Sequence, residues 1–315
     1  MTQTSITIGT RKSQLALAQT NFVIEKLKIE FPDLEINVIP MSTTGDLNLT
    51  QALPKMNDKA LFTKELDIAL LDRRVDMVVH SLKDVPTTLP PGLLLGAIME
   101  REDPRDVLVC KSKYEKGTKL IDLPDGAVIG TSSWRRTAQI KRNYPKLIVE
   151  NIRGNLNTRM RKLEEENYDA IIVAYAGMKR LNWTERISSV IDYEEIYYAV
   201  GQAALAIQCR ESDAFCLSLL NPLNHQESFI RCSVEREFLR TLEGGCSVPI
   251  GVNCFILDNE ILLKGVLISL DGSKQIESEK KISLEKWPSL GTLVATEIIK
   301  EGSDILNEIR RLKNS

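Results

Sequence analysis

Histidine is nearly missing from this chain. His80 and His225 are the only two in 315 residues, and the six cysteines (Cys110, Cys209, Cys216, Cys232, Cys246 and Cys254) form no CxxC pair. That scarcity leaves no set of ligands at metal-binding spacing and no disulfide framework, so no metal is expected. Long apolar runs are lacking too, since none reaches the roughly 18 residues of a membrane span. The opening stretch, Met1-Thr2-Gln3-Thr4-Ser5-Ile6-Thr7-Ile8-Gly9, has neither a charged n-region nor an apolar h-region, which predicts a cytoplasmic protein without a membrane partner. An excess of one charge is also missing, the formal net charge being −2. With no nucleic-acid module recognisable, nucleic acid is not an expected partner. What remains, 43% hydrophobic and 27% charged over 315 residues, is a globular chain long enough for two or three cores.

The near-neutral total hides a local imbalance. Between Arg135 and Lys162 stand nine basic residues (Arg135, Arg136, Lys141, Arg142, Lys146, Arg153, Arg159, Arg161 and Lys162) and one acid, Glu150. Lys141, Arg142, Lys146, Arg161 and Lys162 read as solvated helix faces. Arg135 and Arg136 differ, because they follow Gly130-Thr131-Ser132-Ser133, where the strand pattern Ala127-Val128-Ile129 gives way to a helical one. Hydroxyls, free backbone N–H groups and guanidinium forks converge at such a junction, and Arg153 precedes Gly154-Asn155 in a second one. Both are predicted seats for carboxylates or phosphates.

The amino-terminal half repeats the layout. Strand-like Ile6-Thr7-Ile8 leads to Gly9-Thr10-Arg11-Lys12-Ser13, with Arg11 in the expected turn and Ser13 as helix cap. A helix pattern from Phe62 to Leu71 then feeds the strand Val75–His80, ending in Ser81-Leu82-Lys83-Asp84-Val85-Pro86. Ligands of open α/β sheets collect beyond the carboxyl ends of strands, where Ser81, Lys83 and Asp84 would stand. Spacing alone equally allows Asp84 to be a turn residue. His80 reads as structural.

Strand and helix patterns alternate from Ile6 to about Ala174, which predicts α/β architecture in two similar halves facing across a ligand cleft. The last ninety or so residues differ: a helix over Phe229–Leu242, strands over Gly251–Leu257, Ile261–Leu270 and Lys274–Ile282, and a helix from about Leu293 to Leu312 make an α+β unit. Between its first helix and first strand lies Leu242-Glu243-Gly244-Gly245-Cys246-Ser247-Val248-Pro249. The turn allows two readings of Cys246: a thiol presented for covalent attachment, or a small apolar residue in a tight corner.

Six segments in this order closely resemble the porphobilinogen deaminase family, also called hydroxymethylbilane synthases. They are Gly9–Ala16, Ser42-Thr43-Thr44-Gly45-Asp46, His80–Pro86, Gly130–Arg136, Asn151–Arg159 and the cysteine turn. The resemblance covers nearly the whole chain. It implies two periplasmic-binding-protein-like, doubly wound lobes (1–101 with 201–222, and 102–200) and a small α+β C-terminal domain (223–315). It also implies a cytoplasmic, monomeric transferase of haem biosynthesis that joins four porphobilinogens head to tail, releasing ammonia, and passes hydroxymethylbilane to uroporphyrinogen III synthase.

On that resemblance Cys246 carries a dipyrromethane cofactor through a thioether. Asp84 is catalytic, stabilising positive charge on pyrrole nitrogen. Ser81, Lys83, Asp84, Thr131, Ser133, Arg135 and Arg136 hold the cofactor. Arg11, Ser13, Arg153, Arg159, Arg180, Gln202 and, from a loop over the cleft, Lys59 hold substrate, because each pyrrole brings two carboxylates. The chain departs from the family in Gly201-Gln202-Ala203-Ala204-Leu205-Ala206-Ile207-Gln208, where glycines usually stand at the positions of Ala203 and Ala206 and a glutamate at that of Gln208. Loss of glycine there would restrict positive φ at a lobe hinge and alter lobe movement. Trp134 and Tyr175 also depart, with no functional account. The competing reading is a non-catalytic two-lobed binding protein for small carboxylates.

Overall fold

The computed structural model describes residues 4–47, 60–242 and 248–314. The chain first forms β1 (Ser5–Arg11), α1 (Gln14–Glu30), β2 (Glu35–Met41), α2 (Thr44–Leu47), α3 (Lys64–Leu71), β3 (Met77–Ser81) and β4 (Leu93–Ile98). It then crosses into β5 (Asp106–Cys110), β6 (Val128–Gly130), α4 (Trp134–Asn143), β7 (Ile148–Glu150), α5 (Leu156–Glu165), β8 (Ala170–Ala174), α6 (Tyr175–Arg180) and β9 (Ser189–Val190). A second crossover returns it to β10 (Leu205–Arg210) and α7 (Ala214–Leu220). Last come α8 (Gln226–Thr241), β11 (Ile250–Leu257), β12 (Glu260–Ile268), β13 (Gln275–Ser283) and α9 (Trp287–Asn314).

Two five-stranded sheets result, ordered β2-β1-β3-β10-β4 and β7-β6-β8-β5-β9. They share one plan. Three parallel strands lead each sheet, and the fourth position is filled antiparallel by the strand that has just arrived from the other lobe: β10 beside β3, β5 beside β8. These are the two similar α/β halves expected from the strand and helix alternation, with the doubly wound form that the family resemblance implies. Each sheet buries both faces, which is why β8 reads as an unbroken apolar run, Ala170-Ile171-Ile172-Val173-Ala174.

Local signals set the element ends. Ser13 caps α1 by accepting from the Ala16 N–H, and Val23 and Leu27 pack that helix into the core of the first lobe. Arg11, expected in a turn, is the last residue of β1. The helix expected from Phe62 starts at Lys64. The helix expected from Leu293 starts at Trp287, because a proline, here Pro288, is tolerated in a first helical turn.

The third unit is a three-stranded antiparallel sheet, β11-β12-β13, packed on α8 and α9 around Phe238, Leu263, Val294 and Ile298. Trp134, at the first position of α4, packs against this core and so joins it to the second lobe. Tyr175 packs in the core beneath α6.

Both crossovers run side by side, and the returning one is strained. Gly201 has φ +69°, and a Cβ there would meet Leu82 Cγ at 2.9 Å, so glycine is required. Ala203 also sits at positive φ, +73°. The concern about lost glycines therefore applies at Ala203 and not at Ala206, which lies within β10 and is not among the residues with positive φ.

Candidate active site

Strand ends and helix starts of both lobes converge on one cleft of about 430 Å³, within the range of small-molecule sites. From the first lobe come Arg11 at the end of β1, Ser13 at the start of α1, Ser81 at the end of β3, and Lys83 and Asp84 in the short 3₁₀ turn that follows. From the second lobe come Arg136 on α4, Arg153 before α5, Arg159 on α5 and Arg180 at the end of α6. Asn155 caps α5 by accepting from the Thr158 N–H, and Arg159 Nε donates to the Gly154 carbonyl at 2.9 Å.

Charge in the cleft is one-sided. Among the described residues seven cations (Arg11, Lys12, Lys83, Arg136, Arg153, Arg159 and Arg180) line it with a single carboxylate, Asp84. Arg11 NH1 stands 3.9 Å from Asp84 Oδ2, and its guanidinium lies over the Phe62 ring at 4.3 Å. Burial, with Arg136 alongside, lowers the Lys83 ammonium to about 8. Burial lowers Arg159 to about 10, helped by Arg136 and Arg153, and burial lowers Arg180 to about 10. Each shift has the same meaning: the protein holds these cations at an energetic cost that an anionic ligand would remove.

Several expected site residues lie elsewhere. Arg135 does not line the cleft; its NH1 donates to the Tyr197 carbonyl at 2.5 Å and its NH2 to Asp106 Oδ2 at 2.9 Å. Successive helical residues point about 100° apart, so Arg135 turns inward while Arg136 reaches the cleft. The expectation of an anion seat at Arg135 is thereby corrected, since its charge is spent on a buried carboxylate.

Ser133 does not line the cleft either, its Oγ accepting from the Arg136 N–H as the cap of α4. Thr131 is buried, and its Oγ1 accepts from the Ser133 N–H at 3.3 Å. Gln202 is fully buried behind the cleft. Lys59 and Cys246 lie outside the described residues.

His80 is structural as expected, its Nε2 being 2.8 Å from Gln208 Oε1; burial lowers it to about 4. Gln19, Ser42, Phe62, Asn155 and Thr158 line the cleft without having been foreseen. Gln19 Nε2 donates to Ser81 Oγ at 2.8 Å. Only an amphipathic projection of α1 could have pointed to Gln19. Asp106 opens the otherwise apolar strand β5, and its pairing with Arg135 and Arg136 was not foreseen.

Fold and cleft together define a class: a two-lobed α/β protein with a cation-lined cleft between its lobes, extended by an α+β unit. The family model "Porphobilinogen deaminase, dipyromethane cofactor binding domain" matches residues 6–218, and "Porphobilinogen deaminase, C-terminal domain" matches residues 229–300. A porphobilinogen deaminase of Gloeobacter violaceus is 49% identical over 308 residues, covering 97% of this chain and 94% of the relative. One of Synechococcus elongatus is 48% identical over 305 residues, covering 96% and 95%.

The chain belongs to the porphobilinogen deaminase family, enzymes of tetrapyrrole biosynthesis that work with a dipyrromethane cofactor. Solved structures also overlap it, among them one described as "probable amino-acid ABC transporter extracellular-binding protein ytmK" of Bacillus subtilis. That match has 13% identity and a TM-score of 0.41 over 73% of this chain and 96% of the other. No helix among the described residues is long and apolar enough to cross a membrane, and no metal-holding group of His, Cys, Asp and Glu occurs among them.

Proposed function

We propose that the cleft between the two lobes is where porphobilinogen units are joined, with Asp84 as the catalytic group. The observation that carries this reading is that, among the described residues, one carboxylate stands with seven cations drawn from both lobes. Each pyrrole brings an acetate and a propionate, and a growing chain multiplies that charge. Arginine suits it, offering a planar two-donor fork that stays protonated.

The donor set fits a dipyrromethane whose carboxylates meet Lys83 and Arg136, tethered at Cys246. That group supplies the first pyrrole rings of the chain, with a free α-carbon as nucleophile. Arg11, Arg153 and Arg159 hold the incoming substrate's carboxylates, and Ser13 and Arg180 border the same space. Asp84 accepts hydrogen bonds from pyrrole N–H groups, stabilises positive charge developing on nitrogen, and moves the proton lost from the reacting carbon.

The three units are residues 1–101 with 201–222, 102–200, and 223–315. The enzyme acts as a cytoplasmic monomer whose product, hydroxymethylbilane, passes to uroporphyrinogen III synthase.

The deciding experiment is intact-mass spectrometry of the purified protein and of Cys246→Ala, before and after incubation with porphobilinogen. An adduct of two deaminated porphobilinogen units on the parent, absent from the variant, is the expected result. A parent that stays bare after incubation would favour the non-catalytic carboxylate-binding reading.

A further inference from the structure

Gln202 was expected to touch substrate, yet its side chain has little left to offer one. Its Nε2 donates to the Pro104 carbonyl at 2.7 Å and to Asp106 Oδ1 at 2.8 Å. Its Oε1 accepts from Lys83 Nζ at 3.2 Å. Both amide donors are therefore used, and the carbonyl is turned to the lysine. Asp106, with no exposure, also takes Arg136 in a two-point fork (Nε to Oδ2 at 3.0 Å, NH2 to Oδ1 at 2.8 Å) and accepts from Arg135 NH2.

A chain of contacts thus runs from Lys83 in the first lobe, through Gln202 on the returning crossover, to Asp106 at the start of β5 and on to Arg136. Both ends line the cleft, and the two middle members do not. We propose that Gln202 and Asp106 are positioning residues that fix the Lys83 ammonium and the Arg136 guanidinium at one spacing across the lobe boundary. They thereby set which pair of ligand carboxylates the cleft can hold at once.

The reasoning is physical. A lysine head on a flexible four-carbon stem is poorly placed until an acceptor holds it, whereas a carboxylate in a two-point fork fixes an arginine in plane. One amide joining the two makes the spacing a property of the crossover and not of either lobe. Among the described groups that act on Lys83, Asp84 and Asp106 favour its protonated form, while Arg136 and Arg135 oppose it. This proposal rests on the cleft being the site of pyrrole assembly.

The test reads the lysine directly. In protein labelled with ¹³C at lysine Cε, the Lys83 signal, assigned by its loss in Lys83→Arg, is followed against pH. Asp106→Asn is expected to lower its midpoint by about 1–3 units, the effect of losing one nearby opposite charge. Gln202→Met keeps the volume and the Asp106 charge, so a smaller fall is expected. In that variant KM for porphobilinogen is expected to rise about tenfold, the weight of one charge-assisted hydrogen bond, with kcat changing much less.

A residue that merely fills space would weaken the fold and leave the Lys83 titration and the ratio of KM to kcat effects alone. An unmoved titration in both variants overturns the proposal. Should Asp106→Asn fail to fold, Gln202→Met decides alone. A parent enzyme that does not consume porphobilinogen would remove the catalytic reading of the cleft, while the titrations would still decide whether Gln202 and Asp106 hold Lys83.

Discussion

Replacing Glu235 by glutamine is expected to loosen the third domain from both crossovers, at a cost of about 3–5 kcal/mol, the range for breaking a buried ion pair from one side. Glu235 on α8 has no exposed surface and Arg101 has almost none. Arg101 NH1 and NH2 donate to its two oxygens at 2.6 and 3.0 Å, and the Gly201 N–H donates to Oε2 at 2.9 Å. Arg101 Nε is committed as well, donating to the Gln202 carbonyl at 2.8 Å. An amide of the same shape would turn N–H groups toward a guanidinium or a backbone N–H, leaving a buried cation without its counter-charge.

The assay is denaturant unfolding followed by tryptophan fluorescence, because Trp287 and Trp134 both pack against the core of the third domain. Arg101→Met should cost a similar amount, and the double variant should recover about 2–3 kcal/mol relative to the sum, since it removes both charges together. Single variants within about 1 kcal/mol of the parent would refute the reasoning, because that is the scale of a solvated surface pair.

Three further outcomes are expected. Asp84→Asn keeps the shape of the turn and should lower kcat about 10²–10³-fold, or roughly 2.7–4 kcal/mol, in a porphobilinogen consumption assay; a loss under about fivefold would remove Asp84 from the chemistry. Ala203→Gly should raise the unfolding midpoint, relieving the strain at φ +73°, worth about 1–2 kcal/mol in the folded chain less about 0.4–1 kcal/mol of added freedom in the unfolded one. The same change at Ala206 should destabilise, and equal effects at both would show the strain to be irrelevant. His80, lowered to about 4 by burial, is neutral in the fold and protonates more easily when unfolded. Its contribution is therefore fully present above about pH 6.5 and lost as pH falls toward 4, about 2 kcal/mol between pH 7.5 and 5. Unfolding curves of the parent and of His80→Gln at the two pH values check this, the variant being expected to show the smaller acid loss.

Much of this architecture was legible because the signals are local. Apolar strands followed by Ser13, Ser133 or Asn155 mark a strand end and a capped helix start in three places, and ligand-facing residues of α/β proteins gather at such junctions. Charge patterning was less reliable, because it counts cations without showing where they point. Arg135 and Arg136 are neighbours in sequence, yet one is spent on Tyr197 and Asp106 and the other reaches the cleft. Both share Asp106, from a strand some thirty residues earlier, and the carbonyl that only Arg135 meets, that of Tyr197, lies some sixty residues later; neither partner belongs to a motif. Long-range pairing of that kind has no signature in spacing.

The crossovers explain why such partners gather where they do. Two strands passing between lobes carry no sheet of their own, so their backbone polar groups must find side-chain partners. Arg101 takes the Gln202 carbonyl, Arg180 the Ala203 carbonyl at 2.6 Å, and Glu235 the Gly201 N–H. Those three side chains come from the first crossover, the second lobe's cleft wall and the third domain. Any movement of one lobe against the other must therefore break or carry along contacts to all three, and one of them, Arg180, also lines the cleft. Gly201, Gln202 and Ala203 are thus each held through a backbone group from a different part of the fold, and through Arg180 the returning crossover is held from the cleft wall itself, at its one non-glycine residue of positive φ.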